Sequence, residues 1–282
     1  NIILERLSKS VDEKLSETHA GVRQERGCSD QILTLRRIME QAKAENITMH
    51  MCFVDLKAAY DTVNRKALFN ILPQYEVSQK ICRLIKKLYE GTRAAVKVDG
   101  ELTDWFEITT GLRQGCLLSP ILFNIYFDFV LREAIRDMDH GIVIEYRMPD
   151  GRIVRGTQVE GVEKILVLLY ADDLVLICED GEALAEIMRR IEESTQKWGL
   201  TINVKKTKRM VNKANVSPNE VDIEMRGERV ERVEEFVYLG SLITNTGTVH
   251  KEIERRLQLG QYRFNELKKP IFDQETISRE TK

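Results

Sequence analysis

Residues 165–178 read ILVLLYADDLVLIC, two apolar runs that flank Tyr170, Ala171, Asp172 and Asp173. Unbroken runs of Val, Leu and Ile predict strands that are covered on both faces, and the short connection between them predicts a hairpin turn. Because adjacent carboxylates repel each other and are costly to bury unpaired, a divalent cation is the partner that this turn favours.

The chemistry of the aspartate pair indicates which metal to expect. Oxygen ligands favour Mg²⁺, with Mn²⁺ as the alternative, over zinc or copper. A second interpretation stays open at this stage. Aspartate is common in turns because its side chain bonds the local backbone, so the pair could also be an acidic turn without a metal.

A second apolar run, MHMCFVDL at residues 49–56, contains Asp55 near its end. If its strand lies beside the strands of residues 165–178 in one sheet, Asp55 meets Asp172 and Asp173. Three carboxylates in one cluster can hold two divalent ions about 3.5–4 Å apart, the arrangement used in phosphoryl transfer. The run therefore favours a phosphoryl-transfer site over an isolated acidic turn.

Six segments, in order along the chain, resemble the motifs of reverse transcriptases, in detail those of non-LTR (LINE-type) retrotransposons. A lone Tyr-x-Asp-Asp is a weak signal, but six ordered segments that span most of the chain are specific. The segments are HAGVRQERGCSDQILTLRR at 19–37, FVDLKAAYD at 53–61, GLRQGCLLSP at 111–120, YADD at 170–173, GLTINVKKT at 199–207 and FVYLG at 236–240.

The resemblance implies an α+β right-hand polymerase fold, with an antiparallel palm sheet flanked by helices, partial fingers and the start of a thumb. The implied parts are fingers at 1–47 and 66–112, palm at 48–65 and 113–243, and thumb at 244–282. The family likeness further implies a domain truncated at both ends, because the upstream R-P-I-S-L segment, an endonuclease domain and most of the thumb are missing from these residues.

The implied activity is that of an RNA-directed DNA polymerase, a nucleotidyltransferase that extends a primer 3′-hydroxyl with deoxynucleoside triphosphates. Its partners would be an RNA template and a DNA primer, with no membrane and no implied oligomeric state. Asp55, Asp172 and Asp173 would bind Mg²⁺, with the backbone carbonyl of Leu56 as a further ligand. Lys206 would protonate the leaving pyrophosphate, Lys205 is the neighbouring candidate, and a solvated basic run is the alternative interpretation.

Other residues are assigned to substrate binding by the same resemblance. Tyr60 matches the steric gate that excludes a 2′-hydroxyl, although a core tyrosine at a strand-to-helix junction is the alternative. Gln114, with Arg113 beside it, would contact the incoming nucleotide, whereas a glutamine in a loop is otherwise simply solvated. The primer grip would consist of Tyr238, Leu239 and Gly240.

Local patterns predict several helix ends and turns. Ser119 suits a helix N-cap with Pro120 in the first helical position, and Asp61 suits the N-cap of an earlier helix. Gly199 suits a left-handed C-terminal cap. Hairpin turns are predicted at Asp99-Gly100 and at Asp150-Gly151, and helices through about Met138 and over about 249–269.

Composition excludes several classes of protein. The five cysteines are odd in number and form no C-x-x-C pair, and the four histidines lack metal-ligand spacing, which predicts an intracellular protein with reduced thiols and no zinc. No apolar run is long enough to span a bilayer. The family likeness implies action at genomic DNA, so we expect the protein to act in the nucleus.

The overall charge opposes a role in nucleic-acid binding, since the net charge is −2 and the pI is about 6.2. Clusters of basic residues such as Lys86-Lys87, Arg255-Arg256 and residues 205–213 offset that objection. Val22 and Glu25 depart from the family pattern, which has Phe and Gly there. A catalytically inactive or domesticated fragment that binds RNA or acts as a scaffold is the alternative, and a nucleotide cyclase is a more distant one.

Overall fold

A computed structural model describes residues 2–23, 25–136, 138, 145–147, 153–155, 165–212 and 221–273. The helices are α1 Ile2–Val11, α2 Cys28–Ala44, α3 Arg65–Ile71, α4 Gln79–Tyr89, α5 Ser119–Ile135, α6 Gly181–Lys197 and α7 His250–Leu267, with a 3-10 turn at Leu72–Tyr75 and a π-helical segment at Lys268–Phe272. The strands are β1 His50–Val54, β2 Arg93–Ala94, β3 Lys97–Val98, β4 Glu101–Leu102, β5 Phe106–Glu107, β6 Glu145–Arg147, β7 Ile153–Arg155, β8 Val167–Tyr170, β9 Asp173–Cys178, β10 Lys208–Val211, β11 Glu224–Met225, β12 Glu228–Arg229, β13 Glu231–Arg232, β14 Glu235–Tyr238 and β15 Ser241–Thr244.

The central sheet has five strands in the order β13-β10-β1-β9-β8. Strand β1 pairs antiparallel with both β9 and β10, and Val54 lies opposite Leu174. Strands β8 and β9 form a hairpin in which Tyr170 pairs with Asp173. The predicted adjacency of the two acidic strands and the predicted hairpin are therefore confirmed, within an α+β fold.

Both faces of the central sheet are covered, as the unbroken apolar runs predict. Successive side chains of a strand point to opposite faces, so Cys52 and Val54 join one core with α5 and α6. Met51 and Phe53 join a second core with α2 and the β14–β15 hairpin. Strand β9 divides its side chains in the same way.

Residues 18–21 extend the sheet beyond β8. The Ala20 amide donates to the Leu169 carbonyl at 2.9 Å, and the Leu169 amide donates to the Thr18 carbonyl at 3.1 Å. A Cβ atom at Gly21 would lie only 2.3 Å from the Ala171 backbone nitrogen. The Asn124 side-chain amide on α5 donates to the Gly21 carbonyl and holds this close approach.

The two departures from the family pattern both lie at left-handed backbone positions. Val22 has φ of 57° and Glu25 has φ of 58°. Residues with a Cβ atom are disfavoured there by about 1–2 kcal/mol, whereas glycine is not. The position of Glu25 is thus one that glycine fits without strain.

Two predicted helix caps are wrong. Helix α5 begins at Ser119 with Leu118 as its N-cap, because the Ser119 hydroxyl donates instead to the Arg113 carbonyl at 2.6 Å. Asp61 lies in a turn before α3, and Asn64 caps that helix by accepting from the Ala67 amide at 3.1 Å. At Asp61 the chain makes a further turn before α3 begins, whereas α5 begins one residue earlier than a cap at Ser119 would place it.

Other local predictions have mixed outcomes. The turn at Asp99-Gly100 joins β3 to β4 with both residues at positive φ, and Gly199 has φ of +81°, so both predictions are confirmed. Helix α5 ends at Ile135, before Met138. Strands β6 and β7 pair antiparallel, but Asp150-Gly151 lies outside the described residues.

The division into fingers, palm and thumb stays a prediction. Residues 274–282 of the thumb range and Lys213 of the basic run lie outside the described part of the chain. None of the helices within the described residues combines the length and the apolar character that crossing a membrane requires.

We expect the substitution Gly21→Ala to destabilise the protein by about 1–3 kcal/mol, the usual cost of forcing extra volume into a packed interior. The added methyl group would collide with the backbone of Ala171. Urea unfolding of the variant and the parent protein measures the difference.

The matched control is Gly27→Ala on the same segment. Gly27 has φ of −135°, and its added Cβ atom would be 3.8 Å from the nearest atom, so its stability should change little. Equal effects of the two substitutions would show that the contact between Gly21 and Ala171 is not tight.

Candidate active site

Asp55 follows the last residue of β1 and is fixed through its backbone. Its amide donates to the Thr207 hydroxyl at 3.2 Å, and its carbonyl accepts from the Asn203 amide at 2.8 Å. The Asp55 Oδ2 atom is buried without a hydrogen-bond partner among the described residues. Because an unpaired buried carboxylate oxygen is unfavourable, this atom is suited to receive a cation.

Asp173 begins β9, beside Asp55. Desolvation of its carboxyl group, followed by the negative charges of Asp172 and Asp55, raises the pKa of Asp173 to about 6. Asp173 is exposed as a whole residue and lines the cavity that Asp55 also lines. The charges of Asp172 and Asp55 thus both act on the Asp173 carboxyl group.

The three carboxylates do not form a closed ligand set. Asp55 and Asp173 line one cavity of about 320 Å³, while Asp172, in the turn, is not among its lining residues. Across the described ranges, no three His, Cys, Asp or Glu side chains lie close enough together to hold one ion. The donors fit a divalent cation chemically, but a shared ion requires the Asp172 side chain to turn toward the cavity.

The backbone geometry around Leu56 is consistent with its carbonyl oxygen acting as a metal ligand. Leu56 forms an isolated antiparallel bridge with Ile202. The flanking hydrogen bonds use the Asp55 carbonyl and the Lys57 amide. Because the residues on either side of Leu56 bond the segment of Ile202, the Leu56 carbonyl points away from that segment, toward the side of β9.

Basic side chains form another wall of the carboxylate cavity. Lys205, Lys206 and Lys208 all line it, and the first two are exposed. The Lys208 ammonium pairs with Glu231 at 2.6 Å. The structure therefore places both candidate proton donors, Lys205 and Lys206, at the cavity and does not distinguish between them.

The β14–β15 hairpin closes the cavity with aromatic rings. Phe236 stacks on Phe53 with ring centroids 4.4 Å apart, and Tyr238 packs against the same ring at 5.9 Å. Burial, followed by the charge of Asp173, raises the pKa of Tyr238. Leu239 and Gly240 form the turn, both at positive φ. Of the predicted grip residues, Tyr238 lines the carboxylate cavity, and Leu239 and Gly240 follow it in the turn.

Tyr60 is half-buried and stacks on Phe123 with ring centroids 4.5 Å apart. Burial, followed by the charge of Asp172, raises the pKa of Tyr60 to about 12. The ring therefore packs as a core residue on one side and lies within electrostatic reach of the aspartate turn. Both interpretations of Tyr60 agree with this placement.

Arg113 and Gln114 are exposed and line a different cavity, of about 1030 Å³. Their loop is tied to the Tyr60 segment, because the Leu112 amide donates to the Tyr60 carbonyl at 2.8 Å. Arg113 bonds the Thr92 hydroxyl at 3.1 Å. The structure does not bring these two side chains into the carboxylate cavity.

Asn203 and Thr207 lie within the segment 199–207, and the sequence alone assigns them no role. Both bond the backbone of Asp55, and Thr207 is fully buried. A buried hydroxyl needs a hydrogen-bond partner. The position of Thr207 directly before β10 is therefore the sequence feature from which its contact with the Asp55 backbone could have been predicted.

Comparison with known proteins gives a consistent picture. Residues 1–243 match the family model described as reverse transcriptase (RNA-dependent DNA polymerase). The chain is 28% identical over 180 residues to a Pol polyprotein of the type-1 retrotransposable element R2 of Nasonia vitripennis, covering 64% of this chain and 16% of that protein. It is 25% identical over 260 residues to the RNA-directed DNA polymerase from mobile element jockey of Drosophila funebris, covering 89% and 26%.

Solved structures with the same fold include two yeast telomerases in complex with a fragment of telomeric RNA. The Candida tropicalis protein has a TM-score of 0.59 at 17% identity, covering 87% of this chain and 36% of that one. The Candida albicans protein has a TM-score of 0.54 at 15% identity, covering 88% and 37%. These values support a shared fold. The chain belongs to the reverse transcriptase (RNA-dependent DNA polymerase) family, as a domain of the LINE-type, non-LTR kind.

Proposed function

We propose that this chain is the polymerase domain that copies RNA into DNA by adding deoxynucleotides to a primer 3′-hydroxyl. The observation that carries the proposal is the pairing of β1 with β9, which sets Asp55 and Asp173 in one cavity walled by lysines and aromatic rings. The proposed substrates are an RNA template, a DNA primer and deoxynucleoside triphosphates.

The comparisons support this proposal at the level of the family. Relatives are named as RNA-directed DNA polymerases of mobile elements, and the telomerase structures contain telomeric RNA. The chain spans 16% and 26% of the first two relatives' length, so their whole activity is not transferred to it. Action in the nucleus, at genomic DNA, is part of the same proposal.

Asp55, Asp172 and Asp173 would hold Mg²⁺ or Mn²⁺, with the Leu56 carbonyl as a further ligand. When bound, such ions lower the pKa of the attacking hydroxyl and neutralise charge on the triphosphate. The side chains contribute through position. Asn203 and Thr207 fix Asp55, and the rigid hairpin fixes Asp173.

The remaining residues would orient the substrates. Lys206 donates a proton to the leaving pyrophosphate, with Lys205 as the adjacent candidate. Tyr60 lies beneath the incoming sugar. Arg113 and Gln114 contact the nucleotide once the nucleotide extends from the carboxylate cavity into the cavity that these two residues line. Tyr238, Leu239 and Gly240 hold the primer end near the carboxylates.

The substitution Asp172→Asn should lower primer extension by at least about 10²-fold, the scale for losing one strong electrostatic stabiliser. Extension of a DNA primer annealed to a homopolymer RNA template, with Mg²⁺ and then Mn²⁺, measures the effect. The control Asp104→Asn removes an equal charge from an exposed position distant in sequence. An Asp172 variant as active as the parent protein would refute the role of the aspartate turn.

The substitution Tyr60→Ala should allow ribonucleotide incorporation, because it removes the ring that would occupy the space of a 2′-hydroxyl. Tyr60→Phe keeps the ring stacked on Phe123 and should keep the discrimination. The ratio of kcat/KM for deoxynucleotide and ribonucleotide is the readout. Unchanged discrimination in Tyr60→Ala would leave Tyr60 as a core residue only.

Divalent-ion affinity should weaken as the pH falls through about 6, the raised pKa of Asp173. Only the ionised carboxylate binds a cation, so below that pH the affinity should fall by up to about tenfold per pH unit. Electron paramagnetic resonance of Mn²⁺ at several pH values measures it. The variant Asp173→Asn should lose this step, and a wild-type affinity that is equal at pH 5 and pH 7 would contradict the assignment.

Without metal, the Asp173 carboxyl group gives the folding stability a pH dependence opposite to that of the ion affinity. Because the folded-state pKa of about 6 exceeds the ordinary 3.8, the folded state holds the proton more tightly than the unfolded state. The contribution of Asp173 to stability therefore increases as the pH falls from about 6 towards 3.8 and is lost as the pH rises through 6.

A further inference from the structure

Helix α4, QKICRLIKKLY, is the most strongly basic helix of this acidic chain. It carries Lys80, Arg83, Lys86 and Lys87 and no Asp or Glu, while the whole chain has a net charge of −2. It lies outside the carboxylate cavity and outside the roles assigned above.

The basic residues occupy the outer face of α4. Ile81, Ile85 and Tyr89 face the protein, and Ile85 and Tyr89 are buried. Lys80, Arg83 and Lys87 follow the spacing i, i+3, i+7, which places them in one row opposite the buried stripe. At a rise of about 1.5 Å per residue the row is roughly 10 Å long. All three side chains are exposed.

These cations lack the partners that other surface cations have. Within the described residues, no ion pair involves Lys80, Arg83, Lys86 or Lys87, and Arg83 bonds only the Gln79 carbonyl of its own helix. On α6, by contrast, Arg189, Arg190 and Lys197 all pair with glutamates. Unpaired like charges in one row repel each other, so the row is suited to a polyanion.

At the C-terminal end of α4, further basic residues lie near the cavity that Gln114 lines. The guanidinium groups of Arg65 and Arg113 lie over the Tyr89 ring, at 5.0 and 5.7 Å from its centroid. That cavity is also lined by Arg93 and by the exposed ring of Trp105. Basic groups thus lie both on the outer face of α4 and around a nearby cavity in which an aromatic ring can stack on an unpaired base.

A membrane surface is the other partner that a basic helix can suit. Leu84 and Leu88 are the exposed apolar residues of α4, at 41% and 43% exposure, and the helix has 11 residues. Interfacial helices bury a broad apolar face, which α4 instead packs against its own protein. The charge row, together with the basic and aromatic lining of the cavity near the end of α4, favours nucleic acid.

We propose that the outer face of α4 binds the phosphodiester backbone of the RNA strand, outside the carboxylate cavity. The surface consists of Lys80, Arg83 and Lys87, with Lys86 at its flank. The inference rests on the proposed function in one respect only, that RNA is the nucleic acid presented to this chain.

The test replaces Lys80, Arg83 and Lys87 by glutamine together and measures binding of a labelled single-stranded RNA by fluorescence anisotropy, without nucleotides, from about 50 to 200 mM salt. The slope of log affinity against log salt should fall by about 2, since each single-strand phosphate contact contributes about 0.7. At 0.15 M salt the affinity should fall roughly tenfold or more. The same DNA sequence serves as a second ligand, and a shared loss identifies backbone contacts.

The matched control replaces Arg189, Arg190 and Lys197 of α6 by glutamine, which removes the same charge from another exposed helix. It should keep the wild-type slope, and circular dichroism establishes that both variants are folded. An unchanged slope in the α4 variant, or an equal loss in the α6 variant, would overturn the proposal. Loss of binding to phosphatidylserine vesicles with RNA binding intact would overturn it in favour of a membrane.

Primer extension separates this surface from the active site. The α4 variant should keep kcat at saturating template and show a raised KM for template. If the parent protein fails to extend primers while the α4 variant still loses RNA affinity, the surface stands and the proposed polymerase activity falls. Intact primer extension by the α4 variant, with unchanged RNA affinity and unchanged KM for template, would exclude the α4 surface as an RNA-binding site and leave the polymerase proposal standing.

Discussion

The antiparallel pairing of β1 with β9 is the constraint on which the site depends. It sets Val54 opposite Leu174, so Asp55 and Asp173, far apart in sequence, lie beside each other at one edge of the sheet. Both strands are buried on both faces, and a slip of one residue would exchange their two cores. The register that packs the interior therefore also places the carboxylates.

The aspartate turn carries an electrostatic and a steric cost that its surroundings offset. Ala171 has φ of +54°, and desolvation, followed by the charges of Asp172 and Asp55, raises the pKa of Asp173. Gly21 lies against this turn because it has no side chain, and Asn124 holds it there. A cation would relieve the repulsion that remains, so binding and stability are linked through the same three charges.

The sheet and hairpin could be predicted from sequence because unbroken apolar runs have few alternatives. The position of Arg113 and Gln114 could not, because it depends on backbone hydrogen bonds between the loop at Leu112 and the strand exit at Tyr60. The predictions of helix N-caps at Ser119 and Asp61 are wrong for a related reason. Suitable side chains stand at both positions, but the tertiary path of the chain decides which residue begins the helix.

Asp55, Asp172 and Asp173 are proposed to share one bound ion. X-ray anomalous scattering from crystals soaked in Mn²⁺ tests it most directly, because it locates the metal independently of activity. We expect an anomalous peak in the cavity between Asp55 and Asp173, at bonding distance from both, with the Asp172 carboxylate turned toward it. A cavity without such a peak, while Mn²⁺ occupies other acidic positions, would show that these three aspartates do not share a bound ion.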